Sequence, residues 1–114
     1  MAYIARVRKD IADLIPDFMR NRHNDVRLLR AAIAAQDLDD LRFLGERLHA
    51  VGSPFGFDEI SEFGRVVKQA SPSADLSRLG EALSRYEQYL CVVEIIEVDP
   101  SYVGLRTERT ARRA

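Results

Sequence analysis

The chain has one cysteine, two histidines and a net charge of only −1, and each shortage removes a class of function. One cysteine, Cys91, permits no internal disulfide and points to a reducing compartment. The histidines, His23 and His49, stand far from each other and from Cys91, without the spacing of a metal site. So small a net charge gives no overall electrostatic case for nucleic acid or a membrane surface. No apolar run approaches the length that crosses a bilayer. The opening residues Met1–Arg6 lack the apolar stretch of a signal peptide. There is no glycine-rich phosphate loop, internal repeat or serine–histidine–aspartate arrangement. Asp37-Leu38-Asp39-Asp40 lacks the glycine and distant glutamate of a calcium loop and reads as a helix start. A cytoplasmic address follows as the expectation, with no cofactor, no metal and no ordinary metabolic catalysis.

What is present describes one domain. The 114 residues are 46% hydrophobic and 31% charged, enough for a single modest core. Residues 2–8 read as an extended arm, with Tyr3, Ile4 and Val7 available for packing. Asp10 is placed to cap a short helix over Ile11 to Ile15. Pro16 suits the first turn of a long helix running to about Gln36. Ile15, Phe18, Val26, Leu29 and Ile33 form its apolar stripe. Arg22 interrupts that stripe, so its stem is expected to pack while its head reaches water. His23 is expected on the surface.

Asp37 is a candidate cap for a second helix whose inward stripe is Leu41, Leu44, Leu48, Val51 and Phe55. Gly52-Ser53-Pro54-Phe55-Gly56 should end it. Asp58 is a candidate cap for a third helix with Ile60, Phe63, Val67 and Ala70 inward. Ser71-Pro72-Ser73 is a turn signal. A fourth helix starts at Ser73 or Asp75, with Leu76, Leu79, Leu83, Tyr86, Leu90 and Val93 on one face. Cys91, among Leu90, Val92 and Val93, is expected to be buried and inert. The β-branched residues towards Val98 leave the end of this helix open. No alternation marks a strand. Residues 99–114, with Arg106, Arg109, Arg112 and Arg113, read as a disordered basic tail on a domain spanning 1–98. The pattern predicts an all-α protein, an antiparallel four-helix bundle preceded by a short N-terminal arm and helix.

Side chains advance by about 100° per residue around a helix axis. With Leu44, Leu48, Val51 and Phe55 inward, Glu46 projects to the opposite side. Arg42, His49 and Ser53 share this outer face, the small Ala50 lies beside Glu46, and Phe43 stands at its flank, where the core does not need an aromatic.

The stretch Leu44-Gly45-Glu46-Arg47-Leu48-His49-Ala50-Val51-Gly52-Ser53-Pro54-Phe55-Gly56-Phe57 resembles the signature helix of histidine phosphotransfer (Hpt) domains. That family's pattern is histidine, two residues, lysine, glycine, and a second glycine six residues on, often flanked by aromatics. Here Glu46 takes the histidine position, His49 the lysine and Ala50 the first glycine. Gly56, between Phe55 and Phe57, takes the second. Asp13–Phe18 and Leu29–Ile33 resemble the ends of the family's first long helix, and Phe55–Ser61 the turn into its third. The resemblance covers roughly Leu14 to Leu90.

What the resemblance implies is a bundle of Hpt type with altered chemistry. In the family an imidazole nitrogen attacks a phosphoryl group carried by a receiver aspartate, a lysine steadies the phosphate charge, and a small residue makes room for the receiver. Glu46 cannot become a phosphohistidine, and its fixed charge repels an incoming phosphoryl group. The expectation is a non-phosphorylatable module of a bacterial two-component system. It would dock a response-regulator receiver domain or a histidine kinase through Phe43, Glu46, His49, Ala50 and Ser53. Two alternatives stay open. His49, one turn after Glu46, is a candidate displaced acceptor, so that any activity would be phosphoryl transfer; the plainer reading pairs it loosely with Glu46. The other alternative is a structural bundle without signalling partners. The oligomeric state is left open.

Overall fold

The computed structural model describes residues 3–69 and 76–100. In chain order these form strand β1 (Ile4–Arg8), a 3-10 helix (Lys9–Leu14), α1 (Ile15–Ala35), α2 (Leu38–Val51), a short 3-10 turn (Ser53–Phe55), α3 (Asp58–Lys68), α4 (Leu76–Val92) and strand β2 (Glu94–Val98). Four helices packed on one another carry most of the structure, and no described helix is long and apolar enough to cross a membrane.

The helix limits have local causes. Pro16 lies in the first turn of α1, where no intrahelical N–H is needed. Gln36 ends α1 in the left-handed region at φ 54°, and Asp37 N donates back to Ala32 O. The Asp37 carboxylate then accepts from Asp40 N at 3.0 Å and opens α2. Two other expected caps are not made. Asp10 binds Arg8 instead, leaving the 3-10 helix without a side-chain cap. Phe57, not Asp58, precedes α3, and Asp58 lies within its first turn. Ala70, the Ser71-Pro72-Ser73 turn, the start of the fourth helix and the arginines of the basic tail fall outside the described residues.

The core follows the predicted stripes. Leu29, Leu41, Leu48, Ile60, Val67 and Leu83 are fully buried, and Phe18 stacks on Phe55 and Phe57 with ring centroids 4.5 and 5.2 Å apart. Tyr89 is buried as well, beyond the predicted stripe. Cys91 corrects an expectation. The inward residues of α4 are Tyr86, Tyr89 and Leu90, and one residue further round the helix turns Cys91 to solvent.

The absence of strands is a second correction. β1 and β2 pair in parallel, in register from Ile4↔Glu94 to Arg8↔Val98. Ala5 and Val7 are buried beneath, while Ile95 and Ile96 remain exposed. The β-branched run at the end of α4 takes an extended course because β1 offers it a ladder of backbone groups. All the helices lie between the two strands in the chain, so no local pattern announces the pairing.

Two glycines set how close α2 and α3 lie. A Cβ on Gly45 would stand 2.8 Å from the Gly64 carbonyl oxygen, and one on Gly64 2.6 Å from that of Gly45. The helices therefore meet backbone to backbone. Past α2, Gly56 adopts φ 98° and packs directly against the Arg6 carbonyl, which seats this turn on β1.

Candidate functional site

Helix α2 presents the predicted outer face. Phe43 is 60% exposed, and Glu46, His49, Ala50 and Ser53 are all exposed. Their spacing carries the surface along more than two turns of helix and into the 3-10 turn that follows. Arg42 pairs with Asp39 at 3.6 Å, and the Arg47 guanidinium lies 5.7 Å from the Phe43 ring centroid. Glu46 makes no ion pair or hydrogen bond among the described residues.

His49 is held by α3 and not by Glu46. Its Nδ1 lies 3.1 Å from the backbone oxygen of Ser61. A carbonyl oxygen only accepts, so in this contact Nδ1 carries the hydrogen and donates. In the neutral form of the ring the free lone pair then lies on Nε2. Ser61, buried at the start of α3, closes the joint. Its hydroxyl donates to His49 O at 2.8 Å and accepts from Ser53 N at 2.7 Å. Next to it on α3, Glu62 is bound by Arg65, whose hydrogen bond and charge hold the carboxyl below the usual carboxylate range, with a smaller contribution from His49.

The structure also contains a charged group that the sequence reading passed over. Asp25 is 2% exposed and sits between two arginines. Arg22 Nε donates to Asp25 Oδ2 at 2.9 Å, and Arg47 Nη2, arriving from α2, donates to Asp25 Oδ1 at 2.6 Å. The Arg22 head is therefore buried and paired, contrary to expectation, with its guanidinium 4.8 Å from the Phe18 ring centroid. The hydroxyl of Tyr86 lies buried without a partner among the described residues, and burial pushes its ionisation well above the ordinary tyrosine range. Its nearest charges include Arg22 and Asp25. One signal of this cluster stood in the sequence: Arg22 and Asp25, spaced i,i+3, both interrupt the apolar side of α1.

Chemically, the α2 face offers an exposed aromatic, a free carboxylate and an oriented imidazole. The α1–α2 groove offers fixed guanidinium donors. Comparison with protein-family models, curated proteins and solved structures returns no match for this chain.

Proposed function

We propose that this chain is an Hpt-like antiparallel bundle that binds a receiver domain or histidine kinase of a bacterial two-component system and passes no phosphoryl group. The reading is supported by one observation: Phe43, 60% exposed, heads an exposed face that includes Glu46, which is unpaired among the described residues and which the resemblance aligns with the family's accepting histidine. A large exposed aromatic at the edge of a polar face is the composition of a binding anchor. Glu46 supplies negative charge there without a nucleophile. The effect on the pathway is occupancy of a receiver without drainage of its phosphate.

The test is titration of purified receiver domains and histidine kinases from the source organism into the wild-type protein, with intact-mass analysis of the receiver mixtures after phosphorylation of the receiver. Binding without a mass gain is the expected result. Phe43→Ala and Glu46→Arg should each weaken it at least about tenfold, the effect of losing an interface anchor. Unchanged affinity in both variants removes this face from the proposal. Absence of binding to every receiver and kinase favours the structural-bundle alternative.

A second reading is favoured by the His49–Ser61 contact, which orients the imidazole and leaves Nε2 with its lone pair. In that reading Nε2 forms a bond to phosphorus as the acyl-phosphate P–O bond of the receiver breaks and its carboxylate departs. A mass gain of one phosphoryl group, lost in His49→Gln and kept in Glu46→Gln, would establish it.

A further inference from the structure

The arginines around Asp25 carry more hydrogen-bond donors than that carboxylate can take. Arg22, only 7% exposed, binds Asp25 through Nε, one of the five N–H donors that its guanidinium carries. Arg47 uses Nη2, while its Nε is buried without a partner among the described residues. Both side chains line a cavity of about 290 Å³, completed by Asn21, Asn24, Asp25 and Leu28. Asn24 already accepts from Arg27 through its amide oxygen, which leaves its NH2 group to donate. Two guanidinium charges against one carboxylate leave this cavity with an excess of positive charge and of N–H groups.

Guanidinium forks match oxyanions, and they bind best when their orientation is set beforehand. Here Asp25 holds one arginine on each oxygen. We propose that the cavity between α1 and α2 is a binding site for a small free oxyanion of the phosphate or carboxylate class. Arg22 and Arg47 make the contacts, and Asp25 is their positioning residue. The site needs no receiver and stands or falls separately from the docking face.

The experiment titrates inorganic phosphate, and separately acetate, into the full chain at constant ionic strength, with chloride as reference. The arginine Nε–Hε signals are followed by NMR. Expected is a saturable movement of the Arg22 and Arg47 signals with at least one oxyanion and none with chloride; the tighter of the two names the class. Asn21→Asp, at an exposed position that makes no bond to Arg22, Asp25 or Arg47, places a competing carboxylate in the cavity. It should weaken binding at least about tenfold by occupying guanidinium donors and repelling the anion, and Arg47→Gln should do so by the loss of a charge-assisted contact. Signals that stay still, or move linearly and equally in chloride, overturn the proposal. So does an unchanged midpoint in both variants.

Discussion

His49 and Ser61 are joined twice in opposite directions. The imidazole Nδ1 donates to the Ser61 carbonyl at 3.1 Å, and the Ser61 hydroxyl donates to the His49 carbonyl at 2.8 Å. The joint fixes the last turn of α2 against the first turn of α3. It also sets which imidazole nitrogen faces outward from the proposed docking surface.

Ser61→Ala should destabilise the protein by about 1–3 kcal/mol, since it strands the Ser53 N–H and the His49 carbonyl together. Urea denaturation gives the stability. The His49 ring signals should shift in the same variant; an unmoved His49 spectrum with full stability would show that the joint is not formed in solution.

The glycine contact predicts opposite signs for one chemical change. Gly45→Ala and Gly64→Ala should each cost about 1–3 kcal/mol, because the new methyl group meets backbone that cannot step aside. Gly80→Ala, in α4 with nothing within 4 Å of its Cβ position, should stabilise by about 0.5–1 kcal/mol by restricting the unfolded chain. Equal effects at the three sites would contradict the close approach of α2 and α3.

Breaking the buried charge cluster should cost more than replacing it. Asp25→Asn leaves two arginines without their shared carboxylate and should lose about 3 kcal/mol or more. The double variant Arg22→Met with Asp25→Leu removes the buried pair together, and Arg47, which is 40% exposed, can turn to water. It should lose less than Asp25→Asn alone, a comparison that thermal melts of the two proteins would settle.

Alkaline pH should unfold the protein through its tyrosines. Burial raises the ionisation of Tyr86 and Tyr89 above the ordinary value of about 10. The unfolded chain then loses these protons first, so it binds fewer protons than the native state. Stability is fully present below the unfolded value and falls as pH rises through and beyond it. Tyr86→Phe should flatten this loss. At neutral pH it should be neutral or stabilising, because it removes a hydroxyl buried without a partner among the described residues. Denaturation midpoints at neutral and alkaline pH test both statements.

Helical periodicity was enough to place four helices, their inward stripes and the exposed side of α2, because the alternation of apolar and polar positions is written within each segment. Asp37 and the Gly52–Gly56 break marked helix ends for the same local reason. Tertiary structure decided the rest, since each remaining feature needs two segments to meet. Asp25 becomes a buried hub only when α2 brings Arg47 against α1. His49 turns to Ser61, and not to Glu46, because Gly45 and Gly64 let α3 come within hydrogen-bonding reach. The end of α4 becomes a strand because β1, at the far end of the chain, lies beside it with backbone groups to satisfy.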